Sequence, residues 1–384
     1  MDFFSTSKSI GILGGGQLGK MLLYVTRKWD IKTYVLDPSE DSPARLSCNH
    51  FFKGDLTDFE TVYKFGKRVD VLTIEIENVN VQALEKLEKE GVKVFPQSKI
   101  IKTIKNKCLQ KEFYKKNQIP TSPFSVYKKV DQIKKDIFKK NLGFPFIWKS
   151  ALSGYDGYGV KVINSIKDIE LLPEGESLVE KFVNIKKELA VIVSRTENGE
   201  LDSYPVLEME FNNDINQVEY VLCPARIDEK ISEKAKEISY KISENLNHVG
   251  LLVVELFLTD KGDVIVNEIA PRPHNSGHLT IEASNTCQFE QHIRAILNMP
   301  LGDTNITTPS VMVNLIGSKE FSGPVFYKNI NQILAIDSVI PHIYGKKQTH
   351  PFRKMGHVTV LNSEIENALK IAKQIKKTIQ VISK

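Results

Sequence analysis

The sequence predicts a mixed fold of the α/β and α+β classes, with an N-terminal parallel-sheet domain, a central two-lobed domain and a small β-rich C-terminal domain. Three observations support this prediction. Short apolar runs alternate with amphipathic runs as far as about residue 98, a pattern typical of βαβ units. Two strand-like segments flank a tight-turn sequence at 260–263. The chain from residue 301 is rich in strand-like segments and ends in an amphipathic helix at 363–379.

The N-terminal domain is predicted to cover residues 1–103 and to contain a parallel sheet, because its strands and helices alternate. The first helix has one apolar face with i, i+3, i+4 and i+7 spacing, formed by Leu18, Met21, Leu22 and Val25. The predicted elements are strands at 9–13, 31–36, 70–76 and 92–95 and helices at 17–29, 58–68 and 80–90.

A helix near 98–117 leads into the central domain. The first lobe of that domain has a helix, an apolar strand at 144–149, a glycine-rich loop and two more strands. The second lobe has longer strands and a helix near 286–297. The predicted boundaries are 104–300 for the central domain, about 121–183 for its lid lobe, about 184–300 for its glutamate-bearing lobe and 301–384 for the C-terminal domain.

The turn sequence DKGD at 260–263 predicts a β-hairpin, because glycine adopts the positive φ that tight turns need. If Lys261 and Gly262 form the loop, Glu255 faces Glu268 directly across the two strands. The alternative, two solvated surface glutamates, fits poorly with the apolar residues around them. Paired carboxylates on rigid strands are the hard oxygen ligands that Mg²⁺ prefers. The hairpin therefore predicts a magnesium-nucleotide site.

The overall composition bounds the class of protein. With 384 residues, 41% hydrophobic and 26% charged, the chain can form two or three domains with sizeable cores. Its net charge of +5 comes from lysines spread along helices such as 99–116, which favours anionic small molecules over nucleic acid. The four cysteines lie far apart without metal-ligand spacing, which indicates free thiols in a reducing compartment. The longest apolar stretch, 250–258, is interrupted by Glu255, so we expect a cytoplasmic protein without membrane contact.

A glycine-rich sequence, Gly14-x-Gly16-x-x-Gly19, follows the first predicted strand and opens the first predicted helix. Asp37 follows the next strand at the spacing of a dinucleotide-binding fingerprint, so this domain alone would suggest NAD. The motif has a broader physical meaning, because glycines let backbone N–H groups at a helix N-terminus approach any polar ligand. The hairpin glutamates and a second glycine-rich loop have no evident use in hydride transfer, which favours a different small molecule.

The second glycine-rich loop, at 153–159, follows the apolar strand that ends at Lys149. A lysine there can place its charge on nucleotide phosphates while the loop covers them and excludes water. Lys107, on a lysine-rich helix, is a second candidate for phosphate binding. The strand-like segment 180–183 can bind an adenine edge through its backbone, and Glu188 lies where a carboxylate can accept ribose hydroxyls.

These features together resemble the ATP-grasp superfamily. The matching features are, in order, Lys149, the loop at 154–159, the segment 180–183, Glu188 and the pair Glu255 and Glu268. Within this superfamily the chain resembles the 5-(carboxyamino)imidazole ribonucleotide synthetase family. The motifs that carry the resemblance are GILGGGQLGKM at 11–21, SGYDGYG at 153–159, NEIAPRPHNSGH at 267–278, YGK at 344–346 and RKMGH at 353–357. The resemblance covers almost the whole chain and implies an ATP-grasp fold behind a pre-ATP-grasp domain.

The resemblance implies an ATP-dependent carbon-nitrogen ligase of de novo purine synthesis. Its substrates would be ATP, bicarbonate and 5-aminoimidazole ribonucleotide (AIR), and carboxyphosphate would be the intermediate. Mg²⁺, as one ion or two and with Mn²⁺ as a substitute, would bind Glu255 and Glu268. The nucleotide-binding residues carried over are Lys107, Lys149, Gly154, Tyr155, Asp156, Gly157, Tyr158, Gly159, Val160, Glu180, Lys181, Phe182, Val183, Glu188, Phe211, Asn267 and Glu268.

The resemblance also implies an AIR site and partners. The AIR-binding residues would be Gln17, Glu77, Tyr155, Asp156, Arg272, His274, Asn275, Lys346 and Arg353. Lys346 and Arg353 would bind the 5′-phosphate, since the planar guanidinium can make two charge-assisted contacts with one phosphate. The expected partners are a second copy of the chain, in a homodimer, and the mutase that uses the product, through a functional coupling.

Two positions depart from the family pattern. Asn106 and Lys107 stand where the family often has an aspartate-arginine pair, which keeps the positive charge but loses the guanidinium fork. Phe211 stands where many relatives have a histidine on the nucleotide side. Phenylalanine can pack near the nucleotide but cannot donate a hydrogen bond.

Three alternatives remain open at this point. A sister ATP-grasp enzyme, such as a formate-dependent glycinamide ribonucleotide transformylase or a biotin carboxylase, would share the nucleotide half, but the motifs at 344–346 and 353–357 argue against both. An NAD-dependent oxidoreductase would use the loop 14–19 and Asp37. A catalytically silent ATP-binding protein would keep Lys149 but would not need both hairpin glutamates.

Overall fold

The computed structural model describes residues 8–140, 143–152, 159–212 and 217–384. Strands and helices alternate in its N-terminal part, as predicted, except that two consecutive strands follow the first helix. The strands are β1 (Ser9–Leu13), β2 (Lys32–Asp37), β3 (His50–Lys53), β4 (Val71–Ile74) and β5 (Lys93–Val94). The helices are α1 (Gln17–Lys28), α2 (Phe59–Gly66), α3 (Val81–Lys89) and α4 (Ser98–Lys105). The strands form a parallel sheet in the order β3-β2-β1-β4-β5, which confirms the predicted parallel-sheet domain.

The core of this domain follows the predicted periodicity. The apolar face of α1 packs in one buried cluster with residues of β1 and β2, and its four predicted residues are each at most 7% exposed. Strand β3 was not predicted. It lies at the sheet edge, and its four residues are half-buried or exposed, so it lacks the apolar run by which the other strands were recognised.

The predicted helix near 98–117 is two helices. Between them Asn106 has an extended backbone (φ −112°, ψ 110°), and its side-chain oxygen accepts the N–H groups of Cys108 and Leu109. Asn106 therefore caps the second helix, α5 (Lys107–Lys116). The asparagine that departs from the family pattern thus has a clear local role, because it begins the helix that carries Lys107.

The lid lobe follows α5. Its elements are β6 (Phe124–Tyr127), α6 (Val130–Lys140), β7 (Phe146–Ser150), β8 (Val160–Ile163), α7 (Ile166–Glu170) and β9 (Ser177–Lys181). The strands form an antiparallel sheet in the order β6-β9-β7-β8. Phe146 and Trp148 pack in one apolar cluster with residues of α6 and α7. Since side chains alternate along a strand, Ile147 and Lys149 lie on the opposite face.

The remaining chain builds one large sheet, a small antiparallel sheet and their covering helices. The strands are β10 (Ile185–Arg195), β11 (Leu201–Ser203), β12 (Leu207–Asn212), β13 (Gln217–Cys223), β14 (Gly250–Thr259), β15 (Val264–Ala270), β16 (Ser310–Ile316), β17 (Gly323–Lys328), β18 (Val339–Ile343), β19 (Gln348–Thr349), β20 (Lys354–Leu361) and β21 (Gln380–Ser383). The helices are α8 (Glu229–Leu246), α9 (Thr280–Ala283), α10 (Gln288–Ile296), α11 (Ile330–Leu334) and α12 (Ile365–Thr378). The small sheet runs β19-β17-β21, and the large sheet runs β15-β14-β10-β12-β13-β16-β20-β18, with β11 paired to β10.

This sheet joins the glutamate-bearing lobe to the C-terminal part of the chain, because β13 pairs with β16. One hydrogen-bonded sheet thus continues across the predicted boundary at residue 300, and that boundary stays a prediction. Helix α8 was not predicted, although Ala235, Ile238 and Ile242 have helical spacing and pack under β10 and β14. In the part of the chain that the structure describes, no helix is long and apolar enough to cross a membrane.

Candidate active site

The glutamate hairpin lies at the centre of the site. Glu255 on β14 is directly opposite Glu268 on β15, so the predicted opposition is confirmed. The predicted two-residue loop is wrong, because the Thr259 N–H donates to the Asp263 carbonyl oxygen at 2.9 Å and encloses a three-residue loop. Gly262 in this loop has φ +84°, a conformation for which glycine is the favoured residue.

A β-bulge corrects the shift that the longer loop would cause. Leu256 pairs with Val266, so Asn267 is the extra residue between Val266 and Glu268. At a bulge, two residues of one strand oppose one residue of the other, so Asn267 and Glu268 both oppose Glu255. The bulge therefore brings an amide and a carboxylate of β15 against one carboxylate of β14.

Two predicted lysines reach this bulge from neighbouring elements. The Lys107 ammonium, on the first turn of α5, lies 2.8 Å from Glu268 Oε2. The Lys149 ammonium, on β7, donates to Asn267 Oδ1 at 3.0 Å and lies 3.2 Å from Glu180 Oε2. The structure thus brings together five residues that the sequence analysis placed in the nucleotide site.

A third lysine was missed. Lys111, one turn after Lys107 on α5, has 3% of its side chain exposed and lies 2.9 Å from Glu180 Oε1. Burial lowers the pKa of Lys111 to about 8, although the Glu180 carboxylate acts against this shift. The Glu180 side chain, predicted on the adenine side, therefore contacts two ammonium groups, those of Lys111 and Lys149. The spacing of Lys107 and Lys111, which places both on one helical face, was the available signal.

The carboxyl groups of the site differ in pKa. Burial and the opposed Glu268 raise the pKa of Glu255 well above its ordinary value. Burial acts on Glu268 in the same direction, but the Lys107 ammonium outweighs it and lowers the pKa of Glu268. Burial raises the pKa of Glu188, on β10, to about 7. Because three carboxyl groups lie close together and two of them are costly to ionise, a bound cation would stabilise the site.

This donor set fits magnesium. The site would supply two carboxylates, since within the described ranges of the chain no group of three or more His, Cys, Asp or Glu side chains is placed to hold a metal ion. Glu255 and Glu268 supply two carboxylates, beside the Asn267 amide. Mg²⁺ in nucleotide sites usually binds one or two carboxylates and completes its shell with waters and substrate phosphate oxygens. Two opposed carboxylates are therefore the kind of site expected beside a triphosphate.

An open apolar surface borders the lysines. Ile147 pairs with Val162 and Lys149 pairs with Val160, so these four side chains share one face of the lid sheet. Val162 is 49% exposed, and Phe182, just after β9, is 40% exposed. An apolar face beside ammonium groups suits the base and the phosphates of one nucleotide.

The other predicted nucleotide residues are placed around this surface. Lys181 and Val183 flank Phe182 after the buried Glu180. Phe211 is half-buried on β12 and packs against an apolar core cluster. The Gly159 carbonyl accepts the Ser150 N–H at 2.9 Å, which joins the two ends of the lid loop. The predicted residues that lie outside the described ranges are Gly154, Tyr155, Asp156, Gly157 and Tyr158.

The N-terminal glycine loop contradicts the NAD interpretation. Gly16 and Gly19 donate their N–H groups to the Glu75 carboxylate at 3.0 and 3.2 Å, and Gly15 donates to Asp37 at 2.7 Å. A dinucleotide fingerprint needs such N–H groups for the pyrophosphate and the acidic residue for the ribose. Here protein carboxylates already bind them, so this loop is not a dinucleotide site. Glu75, which follows β4, is a second residue, after Lys111, that the sequence analysis missed.

Three of the predicted AIR residues form polar side-chain contacts at or near the hairpin. Arg272 Nε is 2.8 Å from Glu77 Oε1, so two predicted AIR residues from different domains form an ion pair. His274 Nε2 is 3.3 Å from Glu255 Oε1. The Ser276 N–H donates to His274 Nδ1 at 3.3 Å, so the neutral ring carries its proton on Nε2, facing Glu255. The histidine therefore links the segment after β15 to the Glu255 carboxylate of the hairpin.

Asn275 is held by a reciprocal pair of amide hydrogen bonds. Asn275 Nδ2 donates to Asn314 Oδ1, and Asn314 Nδ2 donates to Asn275 Oδ1, both at 2.9 Å. Asn314 lies on β16, in the C-terminal part of the chain. The pair therefore fixes the segment after β15 to the C-terminal half of the large sheet.

The C-terminal candidates lie on a loop that touches the first helix. Gln17 is the first residue of α1, and Lys20 on the same helix donates to the Tyr344 carbonyl oxygen at 3.3 Å. Lys346 follows Tyr344, and its ammonium lies 5.6 Å from the centroid of that ring. Arg353 donates to a backbone oxygen of the same loop at 2.6 Å. The Lys20 contact thus joins the start of this loop to the helix that carries Gln17, while Lys346 donates to the Lys354 carbonyl oxygen at 2.8 Å.

The lid sheet, its lysines and the opposed glutamates together define an ATP-grasp protein. Residues 112–289 match the family model of the ATP-grasp domain. Residues 7–105 match the ribonucleotide synthetase preATP-grasp domain, and residues 310–371 match the phosphoribosylaminoimidazole carboxylase C-terminal domain. The predicted fold class is therefore confirmed.

Similar proteins cover nearly the whole chain. The N5-carboxyaminoimidazole ribonucleotide synthase of Bacillus subtilis (strain 168) is 36% identical, over 92% of this chain and 91% of that protein. The crystal structure of N5-carboxyaminoimidazole ribonucleotide synthetase from Thermotoga maritima has a TM-score of 0.91 and 44% identity, over 98% of this chain and 100% of that chain. The crystal structure of the Aspergillus clavatus synthase in complex with ADP and 5-aminoimidazole ribonucleotide has a TM-score of 0.87 and 34% identity, over 97% of this chain and 98% of that chain. The chain belongs to the N5-carboxyaminoimidazole ribonucleotide synthetase family of ATP-dependent ligases.

Proposed function

We propose that this chain carboxylates AIR with ATP and bicarbonate, giving 5-(carboxyamino)imidazole ribonucleotide, ADP and phosphate in de novo purine synthesis. The observation that carries this proposal is the opposition of Glu255 and Glu268 beside Lys107 and Lys149. The similar Aspergillus clavatus structure, which holds ADP and AIR, supports both substrates. The family membership favours this reaction over the two sister ATP-grasp reactions.

In the first step, a bicarbonate oxygen attacks the γ-phosphorus of ATP, and the bond to the β-γ bridging oxygen breaks to release ADP. Such a transfer needs alignment and charge neutralisation rather than a protein nucleophile. Lys107 and Lys149 would bind the phosphates, and Asn267 would orient them. Glu255 and Glu268 would hold one or two Mg²⁺ ions, for which Mn²⁺ can substitute, and the bound metal would neutralise charge on the triphosphate.

In the second step, the exocyclic amine of AIR takes the carboxyl group from carboxyphosphate, or from CO₂ released beside it, and inorganic phosphate leaves. Arg272, Glu77 and Gln17 would bind AIR from the side of the N-terminal domain. His274, whose Nε2 faces Glu255, would lie between AIR and the metal side. Carboxyphosphate is unstable in water, so a loop that covers the site, at 153–159, has a clear purpose.

The remaining assignments follow from the same resemblance. The segment 180–183 would bind adenine through its backbone, and Glu188 would bind the ribose. Phe211 would contact the nucleotide by packing alone. We also propose a cytoplasmic homodimer with functional coupling to the mutase that uses the product. All four cysteines lack a disulfide partner, which is the usual state in a reducing compartment.

An ADP-release assay with ATP, Mg²⁺ and bicarbonate tests the proposal. We expect ADP formation to depend on AIR and the carboxylated product to appear in equal amount. Two parallel reactions use other substrates. One contains glycinamide ribonucleotide and formate in place of AIR and bicarbonate, and the other contains biotin in place of AIR. Turnover with either replacement but not with AIR would contradict the proposal and favour a sister reaction.

The AIR phosphate site gives a separate prediction. Arg353→Ala is expected to raise the KM for AIR roughly tenfold to hundredfold, because one charged phosphate contact contributes ~1.5–3 kcal/mol. The KM for ATP should change little, since Arg353 lies on the C-terminal loop, outside the elements that carry Lys107 and Lys149. Steady-state kinetics with each substrate varied in turn measures both constants.

Lys370→Ala is the matched control for Arg353→Ala, because Lys370 is an exposed cation on α12 in the same part of the chain. It should leave both KM values unchanged. If ATP affinity falls as much as AIR affinity in the Arg353 variant, the C-terminal loop is not the phosphate site for AIR.

A further inference from the structure

Two buried charged side chains, Glu180 and Lys111, lie behind Lys149. Glu180 and Lys111 each have 3% of their side chain exposed, and Lys149 has 11%. One Glu180 oxygen is 2.9 Å from the Lys111 ammonium and the other is 3.2 Å from the Lys149 ammonium. The carboxylate is thus shared between two cations, of which only Lys149 also contacts the hairpin, through Asn267.

Lys111 is also linked, through Thr121, to the strand that carries Glu268. Its ammonium donates to Thr121 Oγ1, and the Thr121 hydroxyl donates to the Val266 carbonyl oxygen at 2.7 Å. The Val266 N–H in turn donates to the Pro120 carbonyl oxygen at 2.8 Å. Val266 immediately precedes the bulge at Asn267. One buried side chain therefore contacts the carboxylate that holds Lys149 and is linked through Thr121 to the strand that presents Asn267.

We propose that Lys111 is a positioning residue for ATP, which shares Glu180 with Lys149 and so keeps the Lys149 ammonium available to the phosphates. The inference rests on the proposed phosphate role of Lys149. With both lysines charged, the triad carries a net charge of +1 at the bottom of the phosphate site. Without Lys111 the triad is neutral, and the whole carboxylate charge acts on Lys149 across a few ångströms of protein interior.

The first test is Lys111→Met, which removes the charge and keeps most of the side-chain volume. We expect the KM for ATP and the dissociation constant for MgADP to rise by about tenfold or more, and the KM for AIR to stay within about twofold. A merely structural role would instead lower kcat, by reducing the folded fraction, and leave both KM values unchanged. Urea unfolding of each variant separates the two cases.

The second test removes Glu180 as well. If Lys111 acts through Glu180, it has no effect once that carboxylate is neutral, so Lys111→Met/Glu180→Gln should bind ATP about as well as Glu180→Gln alone. The double variant should also bind ATP more tightly than Lys111→Met. The comparison of the double variant with Glu180→Gln can be made even if Lys111→Met does not fold, because the double variant buries no uncompensated carboxylate.

Lys115→Met is the matched control, since Lys115 is an exposed lysine one turn further along α5. This variant should have the wild-type KM for ATP, KM for AIR and dissociation constant for MgADP. An unchanged KM for ATP in Lys111→Met, or a double variant about tenfold weaker for ATP than Glu180→Gln, would overturn the inference. MgADP binding is measured without AIR, so a wild-type protein that binds MgADP but does not turn over AIR would contradict the proposed function and not this inference.

Discussion

Glu268→Gln is expected to lower AIR-dependent ADP formation by on the order of 10³-fold or more while leaving the fold intact. Glutamine has nearly the same shape as glutamate, so the variant removes mainly the charge. Without it, the opposed pair with Glu255 no longer binds the metal, and Lys107 loses its partner at 2.8 Å. ADP release at saturating ATP, bicarbonate and AIR measures the loss, and circular dichroism reports on the fold.

Two further variants serve as comparisons for Glu268→Gln. Glu255→Gln should cause a smaller loss of ADP formation. Burial and the opposed Glu268 raise the pKa of Glu255, so a smaller fraction of this carboxyl group is ionised before the substitution. Glu244→Gln, at an exposed position on α8, should have no effect. Near-normal turnover of the Glu268 variant at ordinary Mg²⁺ concentrations would rule out the metal assignment.

The hairpin shows what sequence patterns predict well and what they miss. The alternating apolar residues and the glycine turn were sufficient to predict that Glu255 and Glu268 face each other. The loop, however, has three residues, and the bulge at Asn267 restores the pairing. The bulge has no local sequence signature, because the contact that holds Asn267 comes from Lys149 on β7, which is 118 residues away in the chain. The correct opposition was therefore predicted from an incorrect turn.

The N-terminal glycine loop illustrates the opposite case, in which a correct local prediction suggested the wrong ligand. Its strand, turn and helix are as predicted. The ligand of its N–H groups is Glu75, which lies 59 residues from Gly16 in the chain and follows a different strand. A motif of glycines shows only that something approaches the backbone closely, and tertiary structure decides whether that is a cofactor or a protein carboxylate.

The spacing of Lys107 and Lys111 did not distinguish Lys111 from Lys115, which has the same spacing from Lys111 along this basic helix. By composition Lys111 belongs to a solvated face, since lysine is rarely buried without a partner. Its partner, Glu180, lies on β9 in a different element, so the pair exists only when α5 and the lid sheet pack together. Buried ion pairs between distant elements are therefore the part of this site that sequence patterns do not predict.

Lys149→Met is expected to lower kcat/KM for ATP by about 10²–10³-fold, the usual cost of removing one group that stabilises charge in a transition state. The Lys149 ammonium lies within 3.2 Å of both Asn267 and Glu180, between the lid sheet and the hairpin. Methionine fills much of the same volume without the charge, so loss of phosphate binding is the expected cause. Steady-state kinetics with ATP varied measures the effect, and the KM for AIR should change little.

Lys161→Met provides the matched control, because Lys161 lies on β8 of the same sheet and pairs with Trp148, the residue next to Lys149. Since neighbouring residues of a strand lie on opposite faces, Lys161 is on the face away from the hairpin, where its ammonium donates to the Leu171 carbonyl oxygen at 3.2 Å. Its loss should leave kcat/KM unchanged. If kcat/KM for ATP falls equally in the two variants, the loss reflects a lower stability of the lid sheet. The phosphate role of Lys149 would then be wrong.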